Sequence, residues 1–295
     1  MSQFKLSWVI EDTNSGLLIR DYLREKEISK TALTDIKYNG GCILVNGMEV
    51  TVRYELKQGD LLEVVYPPEN ISEGILEENI PLSILYEDRY VLVIEKPAAM
   101  NTIPSREHPT GSLANALVGY YHSISLQSTA HIVTRLDRDT SGVVLIAKHR
   151  HIHHLLSKQQ KSGGVRRTYE AFVHGAVTEL EGTITAPIGR KKDSIIEREV
   201  SDDGQYACTH FRVKQIYPSF THLQLKLETG RTHQIRVHMK HIGHPLLGDD
   251  LYGGLRNLIQ RQALHCREIT FTHPIDHQEM TFTSTLPGDM FKLFE

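Results

Sequence analysis

The segment HIVTRLDRDTSGVVLIAK, residues 131–148, joins a charged, turn-forming stretch to a continuous apolar run. The run VVLIA at 143–147 is short and uninterrupted, which predicts a buried strand. Polar side chains directly before a buried strand lie at the edge of a sheet, where a rigid scaffold positions functional loops. Asp137 and its neighbours Arg135 and Arg138 are therefore candidate functional residues. A hairpin whose charged side chains merely pair with one another is the alternative interpretation.

A second segment, LETGRTHQIRVHMKHIGHPLLGDDLYG at 227–253, combines a glycine-marked turn with a basic helical pattern. Gly230 permits a close backbone approach or a positive φ, and Arg231 beside it suits bidentate contact with an anion or a carboxylate. Arg236 and Lys240 are four residues apart, which places them on one face of the predicted helix. A basic surface helix without any chemistry is the alternative.

The chain from Pro81 onward alternates strand and helix patterns. LSILYEDRYVLVIEKP predicts two strands around a turn, and RTYEAFVHG, LHCREITFTHP and QEMTFTSTLP predict further strands. SLANALVGYYHSI and HIHHLLSKQQKSG predict helices, while Thr140-Ser141-Gly142 predicts a turn that anchors its loop through local side-chain hydrogen bonds. This pattern indicates an α+β domain at 81–295 with a mixed, mainly antiparallel sheet.

The first part of the chain predicts a small separate α/β unit at 14–75. GLLIRDYLREKEISKTALTDIKYNG carries apolar residues at helical spacing for two helices, and Ser29 is the predicted N-cap of the second. An Asn46-Gly47 turn between β-rich runs predicts a hairpin. The polar, acidic and proline-bearing stretch at 67–80 predicts a linker to the large domain.

The composition is that of a globular protein, with 40% hydrophobic and 23% charged residues in a chain of 295. One large and one small domain is the organisation expected for this length. No apolar run approaches the ~20 residues that span a bilayer, and no export signal is apparent. The three cysteines are isolated and widely spaced, which argues against a disulfide framework and against a cysteine-based zinc site. We therefore expect a cytoplasmic protein without a membrane partner, and a monomer because no heptad seam is present.

The net charge of −3 conceals an uneven distribution. In residues 131–168 Lys and Arg outnumber the two acidic residues, Asp137 and Asp139, and residues 230–248 contain no acidic side chain. The first part of the chain is net acidic by contrast. A basic surface confined to two segments can follow the phosphates of a nucleic acid. Solvated faces without a ligand are the alternative.

Taken together, these segments resemble the RluA-type pseudouridine synthases. RLDRDTSG at 135–142 matches that family's RLDxxTSG signature. TGRTHQIRVH at 229–238 matches TGRxHQIRxH, and PLLGDDLYG at 245–253 matches the PLxGDxxYG that follows it. RRTYEAFVHG at 166–175 matches a third signature, and the resemblance spans roughly 80–290. Three ordered motifs with correct internal spacing are far more specific than any one of them.

The small unit resembles the alpha-L RNA-binding domain, which is named after ribosomal protein S-four. Lys30 is the usual basic residue after the helix-starting serine of that domain. Two positions of the large domain depart from the synthase pattern. Thr134 stands where histidine is frequent, and EKPAA at 95–99 lacks the glycine of EKPxG. Neither position carries a group that is expected to react.

The resemblance implies a role for each matching residue. Asp137 is the essential aspartate and nucleophile, and Arg231 is the basic partner expected to pair with it and keep it ionised. Tyr169 packs against the target uracil and is equally a candidate base for the proton that leaves carbon 5. Arg135 fills the gap left by a flipped nucleotide. The residues expected to contact RNA are Arg135, Arg138, Lys148, Arg166, Arg167, Arg236, His238 and Lys240.

The implied reaction isomerises specific uridines in RNA to pseudouridine after the base has been flipped out of its stack. The product is an isomer of the substrate, so the resemblance implies no cofactor and no metal. The alpha-L-like unit favours large-subunit ribosomal RNA over transfer RNA as the partner, by analogy. The sequence leaves open whether Asp137 attacks the ribose or carbon 6 of the base.

Three other functions are compatible with parts of the sequence. A glycoside or nucleoside hydrolase needs two carboxylates, for which Asp137 and Asp249 are the candidate pair. A metal enzyme would use the histidines between His149 and His154, although the neighbouring basic residues disfavour a cation. A non-catalytic RNA-binding protein would share the basic surface without any need for the Asp137 carboxylate.

Overall fold

The computed structural model describes residues 3–294, which form a small and a large sheet and a separate β-ribbon. The large sheet is mainly antiparallel and is accompanied by four helices, so the predicted α+β class is confirmed. None of the helices in this part of the chain has the length and apolar character that a bilayer crossing requires.

The small unit consists of a four-stranded antiparallel sheet, in the order β1-β4-β2-β3, and two helices. The strands are β1 (Lys5–Val9), β2 (Cys42–Val45), β3 (Met48–Glu49) and β4 (Leu61–Val65), and the helices are α1 (Ile19–Glu25) and α2 (Lys30–Tyr38). The Ser29 hydroxyl accepts a hydrogen bond from the backbone N–H of Ala32, as expected of an N-cap.

The sheet of the small unit begins at Lys5, before the predicted boundary at residue 14, because β1 pairs along its whole length with β4. Phe4 and Leu6 are buried, and Trp8 packs against the same core. This alternation with a period of two is the signal in the sequence that indicates the strand.

The large unit contains twelve strands and four helices within residues 81–294. The strands are β5 (Ser83–Glu87), β6 (Val91–Lys96), β7 (His131–Ile132), β8 (Ser141–Ala147), β9 (Arg166–His174), β10 (Glu181–Thr185), β11 (Ile188–Arg190), β12 (Arg198–Val200), β13 (Cys208–Ile216), β14 (Phe220–Leu227), β15 (Leu264–Thr272) and β16 (Glu279–Thr283). The helices are α3 (Leu113–Ser123), α4 (Arg150–Lys161), α5 (Gln234–His241) and α6 (Gly288–Phe291).

The large sheet has the order β10-β13-β14-β9-β15-β8-β6-β5, with β16 paired to β15 and β7 to β8. All of these pairs are antiparallel except β15 with β8. β8 is buried at every residue, as its apolar run predicts. It occupies the middle of the sheet, and the loop that carries Asp137 leads directly into it.

Alternate residues of β6 and β8 face two different cores. Leu92 and Val144 pack in a cluster with residues of α3, whereas Val93 and Leu145 pack in a cluster with residues of α4. This second cluster also contains the buried apolar residues of the small unit. The small unit therefore shares a continuous hydrophobic core with the large sheet.

Polar and aromatic contacts join the small unit to α4. The Phe4 ring stacks on the His149 ring with centroids 3.9 Å apart. Burial lowers the pKa of His149 to about 4, so the stacked imidazole is neutral. The Glu69 carboxylate accepts a hydrogen bond from the backbone N–H of Arg150 at 2.8 Å, and the Arg150 side chain pairs with Asp35 of α2.

The parallel pairing of β8 with β15 brings two backbones close together at Gly142. Gly142 lies opposite Cys266 in the register and has a φ of 118°. A Cβ at this position would lie 2.2 Å from the carbonyl oxygen of Cys266, which is shorter than any real contact. Glycine is required here because it has no side chain and because it adopts a positive φ without strain.

We predict that Gly142→Ala lowers the free energy of unfolding by at least about 2 kcal/mol, since it adds strain in φ and a backbone overlap. Urea denaturation followed by circular dichroism measures the change. Gly288→Ala is the matched control, because Gly288 has open space around its Cβ position. Equal stability of the two variants would contradict the close approach of β8 and β15.

Candidate active site

Asp137 lies in the loop between β7 and β8, and distant side chains hold the backbone of this loop. The donor and acceptor pairs are Thr102 Oγ1 to Leu136 O (2.6 Å), Lys96 Nζ to Arg138 O (3.0 Å) and Arg261 Nη1 to Asp139 O (3.0 Å). The predicted local anchoring by Thr140 and Ser141 is not found, because their hydroxyls pair with Gln262 and His265 instead. The loop is therefore fixed to the rest of the domain.

Lys96 is the most buried of these anchors, with 0% of its surface exposed. Its ammonium group donates to the carbonyls of Pro97 and Met100, each at 2.8 Å, as well as to Arg138. Three acceptors match the three protons of an ammonium group. Burial lowers the pKa of Lys96 to about 7, although the charge of Asp137 acts in the opposite direction. The sequence analysis missed this residue.

Arg236 of α5 connects two carboxylates. Its Nε and Nη2 donate to the two oxygens of Asp249 at 2.7 and 2.8 Å, and its Nη1 donates to Asp137 Oδ2 at 3.3 Å. The Asp249 side chain is 1% exposed and the Arg236 side chain 8%. Burial acts to lower the pKa of Arg236, but the hydrogen bonds and charge of Asp249 outweigh it, and the pKa is raised. The guanidinium therefore remains charged beside Asp137.

Arg231 does not pair with Asp137 in the structure, contrary to the prediction. Arg231 is exposed, and its Nε donates to the carbonyl of Tyr206 at 3.0 Å. Both arginines belong to the same turn-and-helix motif, but α5 begins only at Gln234. The helix therefore directs Arg236 inward and leaves Arg231 in the preceding turn. Arg231 still lines the pocket that contains Asp137.

His233 is a further neighbour of Asp137 that the sequence analysis did not identify. Its Nε2 lies 3.9 Å from Asp137 Oδ2, and its Nδ1 lies 2.8 Å from the hydroxyl of Tyr252. Burial lowers the pKa of His233, while the charge of Asp137 opposes that shift. The imidazole is therefore neutral near pH 7 and contributes a polar contact to Asp137 instead of a charge.

Tyr169 lies in the middle of β9, opposite Leu225 of β14 and Cys266 of β15. Its side chain lines the Asp137 pocket and is 4% exposed. The phenol oxygen accepts a hydrogen bond from Arg167 Nη1 at 3.2 Å. Burial raises the pKa of Tyr169, and the charge of Arg167 opposes this only in part. The phenol is therefore protonated at neutral pH.

An open cleft of ≈ 1310 Å³ extends from Asp137 along one face of α4. Its basic lining residues are Arg135, Arg138, Arg150, Lys161, Arg166, Arg167 and Arg231. Asp137 and Glu228 are the carboxylates that line this cleft in the part of the chain that the structure describes. The excess of positive charge suits a polyanion.

Three residues that were predicted to contact RNA are buried, which corrects that prediction. Lys148 is 7% exposed, and its ammonium group donates to the Glu87 carboxylate at 2.7 Å. His238 is 0% exposed, and both of its ring nitrogens have hydrogen-bond partners. Arg236 is held by its two carboxylates. A pattern of basic residues does not reveal which of them face the interior, so only tertiary packing separates these from the exposed ones.

The geometry also tests two alternative functions. Asp249 is buried against Arg236, so it offers no second carboxylate to a glycosidic bond, and the candidate pair for a hydrolase is not formed. His149 and His151 stack on Phe4 and Tyr66 of the small unit. Within residues 3–294, the histidines from 149 to 154 belong to no group of converging metal ligands.

Comparison with known proteins identifies the family. Residues 90–241 match the family model described as RNA pseudouridylate synthase. The uncharacterized RNA pseudouridine synthase YjbO of Bacillus subtilis is 54% identical over 279 residues, which cover 95% of this chain and 99% of that protein. The chain belongs to the RNA pseudouridylate synthase family. It is an RNA pseudouridine synthase, an isomerase, as the sequence motifs predicted.

A further relative and a solved structure are informative. The ribosomal large subunit pseudouridine synthase D of Pseudomonas aeruginosa is 40% identical over 268 residues, covering 86% of this chain and 83% of that protein. The solved structure of human RNA pseudouridylate synthase domain containing 1 has a TM-score of 0.59 and 24% identity, covering 70% of this chain and 84% of that one. The structural likeness supports the fold of the catalytic domain.

We predict that Lys96→Met lowers the free energy of unfolding of the synthase and its turnover. A thioether cannot donate to the three carbonyls that Lys96 binds, and a carbonyl left without a partner away from water costs about 1–3 kcal/mol. A shift of the Asp137 loop by about 1 Å would lower kcat by about 10²-fold. Thermal unfolding and kcat on RNA are measured together, with Lys192→Met on the surface as the control. Wild-type values for Lys96→Met would rule out the anchoring role.

We predict that Asp249→Asn lowers kcat by about 10–100-fold with little change in KM, because the Arg236 guanidinium loses its bidentate carboxylate and its position beside Asp137. The matched control is Asp250→Asn, since Asp250 is adjacent, exposed and paired with Arg256. Circular dichroism checks that both variants fold. An unchanged kcat in folded Asp249→Asn would show that Arg236 keeps its position without Asp249.

Proposed function

We propose that this synthase converts uridines of large-subunit ribosomal RNA into pseudouridine with Asp137 as the nucleophile. One observation carries the proposal. The Asp137 carboxylate lines a cleft that is rich in cations, on a loop that buried side chains hold in place. A nucleophile on a rigid loop, reached through a basic cleft, suits a reaction on a polyanionic substrate.

The reaction breaks the bond between nitrogen 1 of uracil and carbon 1′ of ribose. The base rotates and carbon 5 bonds to carbon 1′. The proton on carbon 5 then leaves, and nitrogen 1, freed from the ribose, takes up a proton. Because the product is an isomer, the chemistry balances without a redox cofactor. A carboxylate at position 137 serves this reaction in either of two ways: it attacks carbon 1′ of the ribose, or it adds to carbon 6 of the base.

Arg236 supports Asp137 as the reacting group. A flipped base covers the carboxylate and removes water, which disfavours its charged form. The charge of Arg236 opposes this effect at 3.3 Å. Because Asp249 already holds the guanidinium, Arg236 does not have to move when the substrate arrives. Charges that are held in place before the reaction stabilise a transition state without a cost of rearrangement.

Tyr169 is better suited to pack against the uracil than to accept the proton from carbon 5. Its pKa is raised by burial, so almost no phenolate is present at neutral pH. A neutral phenol is a weak base. Its ring lines the pocket beside Asp137, where a flat hydrophobic surface favours a stacked base.

The exposed cations of the cleft supply the contacts to RNA. Arg135, Arg138 and Arg166 line the cleft around Asp137 and reach its surface. Phosphate contacts of this kind hold the strand while the target base leaves its stack, which costs a few kcal/mol. We assign to Arg135 the space vacated by the flipped nucleotide, and to Arg231 a contact with the strand next to the target.

The choice of ribosomal RNA rests on the relatives. The Pseudomonas aeruginosa protein is named as a ribosomal large subunit pseudouridine synthase. The small unit, which resembles an RNA-binding domain, is fixed beside the cleft through α4 and supports a structured RNA as the partner. A synthase that acts on ribosomal RNA in a bacterium works in the cytoplasm.

We predict that Asp137→Asn abolishes tritium release from RNA labelled at carbon 5 of uridine, while RNA binding persists. The substrate is ribosomal RNA from cells that lack the gene, with transfer RNA from the same cells in a parallel reaction. Removal of the nucleophile should lower the rate below detection, because the amide cannot form the adduct.

Asp139→Asn is the matched control, because its side chain is half-exposed on the same loop and its carbonyl anchor is retained. It should release tritium at close to the wild-type rate. Tritium release by Asp137→Asn would refute the role of Asp137 as the nucleophile. Tritium release by the wild type from transfer RNA alone would refute ribosomal RNA as the substrate. Free uracil in place of pseudouridine would indicate a hydrolase.

A further inference from the structure

A second group of chemically distinctive side chains lies outside the Asp137 pocket. Cys208 Sγ, His210 Nε2 and one oxygen of Glu228 lie within 4.8 Å of one another. The sulfur is 3.8 Å from His210 Nε2, and that nitrogen is 2.8 Å from Glu228 Oε1. The proposed reaction uses none of these three side chains.

The register of the sheet explains why they meet. Cys208 and His210 alternate along β13, so their side chains point to the same face. Glu228 follows the last residue of β14, and its backbone N–H donates to the carbonyl of Cys208 at 3.2 Å. Two neighbouring strands therefore present the three donors from rigid backbone, which positions ligands better than a mobile loop does.

The next strand supplies polar groups behind these donors. β10 places Thr183 opposite His210 and Thr185 opposite Cys208. Thr183 Oγ1 lies 2.9 Å from His210 Nδ1. When Nδ1–H donates to this hydroxyl, the lone pair of Nε2 points toward Cys208 and Glu228. Metal-binding histidines are commonly oriented by such a hydrogen bond through their other ring nitrogen.

We propose that Cys208, His210 and Glu228 form a binding site for a single zinc-like divalent cation. The donor set of sulfur, imidazole nitrogen and carboxylate oxygen is one that Zn²⁺ prefers. Tetrahedral bonds of about 2.0–2.3 Å place neighbouring donor atoms roughly 3.5 Å apart. The 3.8 Å between Cys208 Sγ and His210 Nε2 is close to this value, whereas the 2.8 Å between His210 Nε2 and Glu228 Oε1 is shorter. The exposed Glu228 side chain can move away from His210 to make room for the ion.

The charges of the donors balance those of the cation. Binding releases the thiol proton of Cys208 to solvent, and the thiolate and carboxylate together neutralise the two positive charges of the ion. Cys208 is buried whereas His210 and Glu228 are partly exposed, so the fourth position faces water and the ion has an entry path.

The site adjoins the turn that carries Arg231. The Tyr206 hydroxyl lies 3.4 Å from Glu228 Oε2, while the Tyr206 carbonyl accepts from Arg231 Nε. A bound ion would therefore connect to the Arg231 turn through Glu228 and Tyr206. Its role is structural, because it fixes the turn at the edge of the cleft and takes no part in bond making at Asp137.

Cobalt(II) titration of the metal-free full-length protein tests the site without RNA, so the result is independent of the proposed reaction. We expect a near-ultraviolet thiolate-to-cobalt absorbance band that saturates at one equivalent and disappears when Zn²⁺ is added. Cys208→Ser should abolish the band. Cys42→Ser should retain it, because Cys42 belongs to the small unit.

Thr183→Val provides a second variant that leaves all three donors in place. Loss of the orienting hydroxyl should weaken cobalt binding by about 10–100-fold. Circular dichroism confirms the fold of each variant, and Zn²⁺ should raise the thermal midpoint of the wild type but not that of Cys208→Ser. The absence of a thiolate band in the wild type, or an unchanged band in Cys208→Ser, would overturn the proposal.

Discussion

The Arg236 guanidinium lies buried between the carboxylates of Asp249 and Asp137. A buried cation is costly unless it is paired and hydrogen-bonded, and Asp249 meets this requirement with two short bonds. One donor of Arg236 is left to face Asp137 at the base of the cleft. The fold must therefore bring α5, the segment after it and the loop before β8 to one point.

The loop of Asp137 is held by an equally constrained arrangement. Its carbonyls are bound by Lys96 at the end of β6, by Thr102 and by Arg261, each of which is distant from the loop in the chain. On the other side, β8 continues into the buried centre of the sheet. In the proposed reaction, a loop bounded in this way would keep its geometry when RNA binds, so that binding energy would be available for flipping the base and not for ordering the site.

The small unit is part of this scaffold. Its apolar core is continuous with the face of the large sheet that α4 covers, and Phe4 stacks on His149 at the start of that helix. The same helix lines the cleft through residues such as His154 and Lys161. One helix thus joins the small unit to the cleft, and the position of the unit relative to Asp137 is set by packing instead of by the linker alone.

Local patterns in the sequence predict much of this molecule. The apolar run at 143–147 is a buried strand, Ser29 caps its helix, and the ordered motifs around Asp137 and Gly230 indicate the family. These features depend on residues close together in the chain. Patterns of basic residues proved less informative, because Lys148 and His238 face the interior although both lie in basic segments.

The sequence by itself determined the fold class, the family and Asp137 as the candidate nucleophile, since periodicity and motif spacing are local properties. Only the tertiary structure decided that Arg236, and not Arg231, contacts Asp137, that Asp249 and Lys96 support the site, and that Cys208 and Glu228 meet. Each of these contacts joins residues from different strands, helices or loops. Their distances depend on strand register and on the direction in which each side chain leaves the backbone, which no short segment of sequence encodes.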